Sequence, residues 1–291
     1  MASSQQPDKA KPHVLLIPFP AQGHVNPLIR LAKALHMRSF HVTFVHTEHN
    51  HRRLLRSRGP GVVEEVPGFR FETIPDGLPL AELDGIQDIW KLCEATRRTC
   101  PGHVRELVER LSRTHGIPPV TCVIADGAMG FVVHVAKEMG LPAYLFFTTS
   151  ACGFLAYLNF DQLAKRGYVP FKERRGELRE SAPTTGGFLT NCGWNSTLES
   201  LRAGVPMVCW PFFAEQVTNC MYAREEWGVG VEMAQQAGRE EVEAAVKMLM
   251  GDGAMLRNAA EWKEKAEKAI MVGGSSHGNL ERFVEEITRV K

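Results

Sequence analysis

The sequence predicts an α/β protein in which parallel strands are covered by helices on both faces. Three observations lead there. Short, uniformly apolar runs recur along the chain, as strands buried on both sides require. Between them lie stretches whose apolar residues return at helical spacing, the alternation of a doubly wound sheet. The alternation then fails once, over Lys172–Thr185, where seven of fourteen residues are charged, and this break divides the chain in two.

The elements follow in order. His13–Pro18 (HVLLIP) is the first strand, and FPAQGHVNP after it reads as a loop. Leu28, Leu31, Ala32 and Leu35 form a helical stripe; His41–Val45 and Phe69–Ile74 are the next two strands. Val104, Leu107, Val108 and Leu111 place a helix over His103–Arg113. Val120–Ala125 is a strand, Ala128–Met139 a helix, Ala143–Phe147 a strand and Ala151–Arg166 a helix. Beyond the break come a strand at Gly187–Thr190, a helix from Asn195 and a strand at Met207–Trp210. A helix at Val217–Trp227 and a short strand at Val229–Glu232 follow, and the remainder is helical over Glu240–Met250, Met255–Val272 and Asn279–Val290. Three strands are few for a doubly wound sheet and leave a raw edge, so the second half reads as part of a domain. The expected organisation is a disordered polar tail over 1–12, a first domain over 13–171, a junction over 172–185 and a domain fragment over 186–291.

Bulk properties narrow the function. The 291 residues carry a formal net charge of +1, which offers no field for nucleic acid or an anionic membrane. The basic cluster Arg52, Arg53, Arg56 and Arg58 has no interleaved aromatics and reads as a solvated helix face. Seven cysteines, odd in number and without a C-x-x-C pair, fit free thiols in a reducing compartment. The polar N-terminus lacks an apolar signal region. Leu141–Leu158 is broken by Pro142 and Thr148-Thr149-Ser150, against a membrane span. The expectation is a cytoplasmic protein.

The chemistry gathers where strands end. His24 follows the first strand and Asp126 ends the fourth. One reading pairs them, with His24 as general base and Asp126 fixing its tautomer. The other makes His24 a loop residue and Asp126 the cap of the next helix. In NCGWNSTLES, a strand runs through Gly193 into a helix opening near Asn195-Ser196, which suits a diphosphate without a metal. Glu199 is one turn on, placed for a ribose diol, and Glu215-Gln216 lie in a loop at the same edge, placed for sugar hydroxyls. The bland alternative is an ordinary helix start with a solvated glutamate. Three other motifs are set aside. GSSHG at Gly274–Gly278 lies between helices, not at a strand-to-helix elbow. HTEHNH, with His46, His49 and His51, reads as a polar loop and not a metal site. No G-x-G-x-x-G follows the first strand, so no dinucleotide cofactor is expected.

The stretch Gly186–Gln216, GGFLTNCGWNSTLESLRAGVPMVCWPFFAEQ, resembles the signature box of plant UDP-dependent glycosyltransferases. PFPAQGHVNPLIRLAKAL, HVTFVHTEHNHRRLLRSRG, PGFRFETIPDGLP, VTCVIADGAMGF and FFTTSACGFLAYL resemble the N-terminal half of the same family, in the branch that glucosylates cyanohydrins and iridoid or terpenoid aglycones. The resemblance implies the GT-B fold: a Rossmann-like N-terminal domain for the acceptor and a Rossmann-like C-terminal domain, here incomplete, for UDP-glucose. It implies inverting transfer of glucose to a hydroxyl of a small lipophilic metabolite, with UDP-glucose as co-substrate and neither metal nor other cofactor. By this resemblance His24 is the catalytic base and Asp126 its partner. Thr148 contacts the donor sugar, and Asn191, Gly193, Trp194, Asn195 and Ser196 hold the diphosphate and sugar. Glu199 binds the ribose, and Glu215 with Gln216 binds the glucose hydroxyls.

Two departures stand out. Asn191 occupies the position of the box's histidine, which predicts weaker diphosphate binding. The box's opening Trp-x-Pro-Gln, which stacks on uracil and holds the nucleoside, is replaced by KERRGELRESAPTT. Family members run to roughly 450–500 residues, as two complete doubly wound domains require. The chain therefore reads as internally truncated. The alternative to an active enzyme is a catalytically impaired remnant, or an incomplete gene model, of one. A further reading is association through the exposed sheet edge.

Overall fold

The computed structural model describes residues 11–58, 66–78, 89–166, 186–234 and 236–289. The predicted disordered tail, apart from its last two residues, and the whole 172–185 junction lie outside them. The chain forms two compact units. The described residues from Thr148 to Glu281 make one; those up to Phe147, joined by those from Arg282 onward, make the other.

The first unit is built on five parallel strands: β1 (His13–Ile17), β2 (His41–Thr47), β3 (Phe69–Ile74), β4 (Val120–Asp126) and β5 (Ala143–Phe146), in the order β3-β2-β1-β4-β5. Because side chains alternate across a strand, β1 serves two cores. Leu15 and Ile17 face Leu107 and Leu111 of helix α3 (Ile89–Arg113) and Val132 and Val135 of α4 (Phe131–Glu138). Val14 and Leu16 face Leu28, Ala32 and Leu35 of α1 (Gln22–His36). Each fully buried leucine contributes roughly 1.5–3 kcal/mol.

Several helix boundaries differ from the sequence reading, three of them in the first unit by more than a turn or through a change of element. Helix α1 begins at Gln22 and runs through Pro27, so His24 stands in a first helical turn and not in a loop. Proline's fixed φ is helical, and near a helix start it forfeits one hydrogen bond, which the burial of Leu28, Ala32 and Leu35 offsets. Helix α3 starts at Ile89, fourteen residues ahead of expectation, and passes through Pro101. Leu92, Thr96 and Cys100 extend its buried stripe. The HTEHNH stretch is not a loop: β2 runs to Thr47, and α2 (Glu48–Arg58) carries His49 and His51. His46 is buried in β2, stacked on Phe71 at 5.6 Å.

The second unit opens with α5 (Ala151–Leu158) and α6 (Phe160–Lys165), one predicted helix interrupted at Asn159. Three parallel strands follow, β6 (Phe188–Thr190), β7 (Met207–Cys209) and β8 (Gly230–Glu232), in the order β6-β7-β8. Helices α7 (Trp194–Ala203), α8 (Gln216–Met221), α9 (Arg239–Gly251) and α10 (Gly253–Ile270) surround them. Met207, Cys209, Leu201 and Ala259 centre one apolar cluster; Val208, Met233, Leu249 and Met255 centre another. A π-type turn, Tyr222–Glu226, prolongs α8. The last helix, α11 (Ser275–Arg289), ends in the first unit, where Phe283, Val284 and Ile287 close the apolar face that holds Val14, Leu28 and Phe44. Ser276 lies in the first turn of α11, with no strand before it.

Candidate functional site

In the first unit the strand order reverses at β1, between β2 and β4. The crevice beyond the carboxyl ends of strands flanking such a point is where open α/β sheets place ligands. The chain leaving β1 brings His24, and β4 ends on Asp126. His24 Nδ1 and Asp126 Oδ2 are 2.9 Å apart. Asp126 is almost fully buried and the imidazole is one-third exposed, with relative side-chain areas of 2% and 33%. The other carboxylate oxygen, Oδ1, accepts the backbone N–H of Ala128 at 2.9 Å and caps the 3-10 turn Gly127–Met129. Both readings of Asp126, cap and histidine partner, therefore hold at once. Phe19 meets the His24 ring edge-on at 5.2 Å. A neutral imidazole donating Nδ1–H to a carboxylate presents Nε2 as an acceptor, the tautomer a general base needs.

In the second unit, β6 delivers the chain through Asn191, Cys192 and Gly193 to α7. Asn191 Oδ1 accepts the Gly193 N–H at 3.0 Å, and Gly193 O accepts the Thr197 N–H at 2.9 Å. The Asn191 side chain thus shapes the entry to the helix, and its amide nitrogen is the group left to donate outward. Trp194, Asn195 and Ser196 form the first turn of α7; Ser196 is buried and Glu199 exposed. The first N–H groups of a helix have no acceptor within it and carry the positive end of its dipole.

Gln216 opens α8 and Glu215 caps it, so the expected loop pair straddles a helix start. Gln216 is buried, and its Oε1 accepts the N–H groups of Phe212 at 2.9 Å and Phe213 at 3.2 Å. The side chain therefore fixes the loop leading into Glu215. Glu215 Oε2 accepts the hydroxyl of Tyr157 on α5 at 3.2 Å. Burial, then the Glu215 charge, pushes the Tyr157 phenol up to about 12. Gly153 makes this approach of α5 possible: a β-carbon there would lie 2.7 Å from Glu215 Cβ. Thr148 is half-buried just ahead of α5.

The structure thus brings together His24 with Asp126 in one unit, and Asn191 to Ser196 at one helix start in the other. Sequence reasoning missed Tyr157 and Gly153, although a glycine inside a predicted helix signals close approach. It also read Cys192, Cys209 and Cys220 only as free thiols, whereas their sulfurs all lie within 4.8 Å of one another. Among the described residues the histidines of HTEHNH form no group of three metal ligands. No described helix is long and apolar enough to cross a membrane.

Two family models match the chain: "Glycosyltransferase, N-terminal domain" over residues 11–168 and "UDP-glucoronosyl and UDP-glucosyl transferase" over 180–263. Among curated proteins, UDP-glycosyltransferase 85A5 of Arabidopsis thaliana is 32% identical over an alignment of 475 positions, spanning 99% of each chain. Linamarin synthase 1 of Manihot esculenta is 29% identical, over 95% of this chain and 97% of its own. The 7-deoxyloganetin glucosyltransferase of Gardenia jasminoides is 30% identical, over 98% and 99%. A 475-position alignment that carries at most 291 residues of this chain (475 − 291 = 184) leaves at least 184 positions of the first relative without a counterpart here. Since both ends align, the missing positions are internal. Among solved structures, UDP-glucose: anthocyanidin 3-O-glucosyltransferase in complex with UDP superposes with a TM-score of 0.79 at 17% identity, over 97% of this chain and 100% of that one. Os79 from O. sativa with U2F and trichothecene gives 0.76 at 19%, over 94% and 100%. These likenesses are to a GT-B fold.

Proposed function

This chain belongs to the plant UDP-glycosyltransferase family, and from that membership we propose that its ancestral reaction is inverting transfer of glucose from UDP-glucose to a hydroxyl of a small lipophilic metabolite. The observation that carries this reading is the His24–Asp126 contact of 2.9 Å at the reversal of strand order. In the proposed step His24 Nε2 takes the acceptor's hydroxyl proton as its oxygen bonds to the anomeric carbon. The bond from that carbon to the diphosphate oxygen breaks, and UDP leaves. Asp126 holds the ring and stabilises the imidazolium. The start of α7, with Asn191 Nδ2, carries the charge developing on the diphosphate without a metal. Glu199 is assigned to the ribose, and Thr148, Glu215 and Gln216 to the sugar; the Gln216 amide nitrogen does the donating, because its oxygen serves the loop. The unit that ends at Phe147 is the proposed acceptor-binding part and 186–291 the donor-binding fragment; the expected first domain, 13–171, runs past that division, because α5 and α6 fall in the second unit. The names of the relatives, a linamarin synthase and 7-deoxyloganetin glucosyltransferases, favour cyanohydrin-like and iridoid-like acceptors. Seven free thiols favour a cytoplasmic setting.

The internal gap favours a second reading for this particular chain. It carries no Trp-x-Pro-Gln segment ahead of Gly186, and its donor sheet has three strands among the described residues. Loss of an aromatic stack on a base costs on the order of 1–3 kcal/mol, by analogy with single-strand binders, so a remnant that binds UDP weakly without transferring sugar is the alternative. Association through the β6 edge belongs to that reading. Incubation with UDP-glucose and a panel of cyanohydrins, terpenoid alcohols and phenols, with mass-spectrometric detection of glucoside and free UDP, separates the two. Glucoside formation supports transfer; UDP binding by calorimetry with no product supports the remnant.

A further inference from the structure

We propose that Cys192, Cys209 and Cys220 form a three-thiolate site for a soft monovalent metal ion, Cu(I). Three separate elements supply the ligands: the turn between β6 and α7, the end of β7, and α8. All three side chains are buried, and their sulfurs lie within 4.8 Å of one another. Three sulfurs bound to one ion at about 2.3 Å stand about 3.8–4.0 Å apart, so the triangle needs only a small contraction.

Simple apolar packing does not account for Cys192. Its φ is +62°, a left-handed conformation that favours glycine. Both of its backbone groups are pinned: its N–H donates to Thr190 Oγ1 at 3.0 Å, and its carbonyl accepts from Asn219 Nδ2 at 2.9 Å. Supported strain that turns a side chain toward two other thiols is how ligand sites are preorganised. Ligand number and softness choose the ion. Among the described residues no fourth histidine, cysteine or carboxylate joins the group. Structural zinc takes four ligands, all-thiolate sets included, whereas Cu(I), also matched to soft thiolates, is satisfied by three. Each thiol that binds releases its proton to solvent.

The ion would fasten the turn that leads into Gly193 to β7 and to the helix that begins at Gln216. This coupling to the donor pocket rests on the proposed function; the metal site does not.

The test is anaerobic titration of the reduced full chain with Cu(I) against bathocuproine disulfonate, with copper X-ray absorption on the loaded protein. The expected result is one Cu(I) per chain withheld from the chelator and bound by three sulfurs. The site is lost in Cys220→Ser and kept in a Cys93→Ala, Cys152→Ala double variant. Complete surrender of copper by the folded wild type, a sulfur count other than three, or retention in folded Cys220→Ser overturns the proposal. So does a preference for Zn(II) with a fourth ligand. Should Cys220→Ser not fold, the absorption spectrum of the wild type decides alone. UDP titrated with and without bound copper is expected to give different affinities. Absence of any UDP binding counts against the donor-pocket reading and leaves the copper result standing.

Discussion

His24 and Asp126 are 102 positions apart in sequence, yet Nδ1 of one lies 2.9 Å from Oδ2 of the other. The second oxygen of the same carboxylate holds the Ala128 N–H at 2.9 Å. One buried side chain thus anchors a turn and orients an imidazole, and substitutions can separate the two tasks. Asp126→Asn keeps an oxygen for the cap but removes the charge behind the ring. It is expected to lower glucoside formation by about 10²–10⁴-fold with little change in thermal stability. Asp126→Ala also loses the cap, at about 1 kcal/mol. Equal transfer rates in wild type and Asp126→Asn would remove His24 from the role of base.

Gln216 is expected to matter for stability. Gln216→Ala strips two backbone N–H groups, those of Phe212 and Phe213, of their acceptor. The cost is about 1–3 kcal/mol. Four of the five tryptophans lie in the same unit as Gln216, so urea unfolding followed by tryptophan fluorescence reads the loss. An unchanged midpoint contradicts the assignment.

Gly153 is expected to accept no side chain. A β-carbon there would lie 2.5 Å from Thr149 Oγ1 and 2.7 Å from Glu215 Cβ. Gly153→Ala therefore displaces α5 from α8 and costs about 1–3 kcal/mol as overpacking. Ala151→Gly, at the exposed start of the same helix, controls for backbone effects. A Gly153→Ala protein as stable as wild type would mean that the two helices do not meet in solution.

The first unit is expected to lose stability in acid. Burial lowers His13 and His46 from the ordinary 6.5 to about 4. His13 is satisfied as a neutral ring, its Nδ1 on Pro118 O at 2.7 Å and its Nε2 on Thr43 Oγ1 at 2.8 Å. Among the described residues neither nitrogen of His46 has a hydrogen-bond partner. Between pH 6.5 and about 4 the unfolded chain carries protons on these rings that the folded chain does not. Stability is therefore full above 6.5 and falls as pH drops toward 4, by about 3 kcal/mol per ring at the acid end. Denaturation midpoints at pH 7, 5.5 and 4.5 measure the slope, and His46→Phe is expected to flatten it. A profile independent of pH over this interval refutes it.

The strands were legible because burial on both faces leaves uniform apolar runs. Phe69–Ile74 lies where its residues indicate, and Val120–Ala125 differs only by the inclusion of Asp126. Prolines hid the helices: Pro27 and Pro101 look like breaks, yet tertiary burial of Leu28 and Leu92 carries both helices through them. The helix start at Asn191 to Ser196 was legible because the motif lies in one short stretch of chain. Contacts that depend on packing between elements were not. Tyr157 meets Glu215 across 58 positions, and no local pattern announces it. The cysteine triangle was hidden for the same reason, since its members belong to three separate elements.

Phe283, Val284 and Ile287 seal the face of the first sheet occupied by Val14 and Leu28. A growing polypeptide makes that sheet well before the α11 segment that covers it. During synthesis the first unit therefore waits on the ribosome with an oily flank open, a period in which chaperones or neighbouring nascent chains compete for it. Shortening the tail by even its final turns would make that wait permanent.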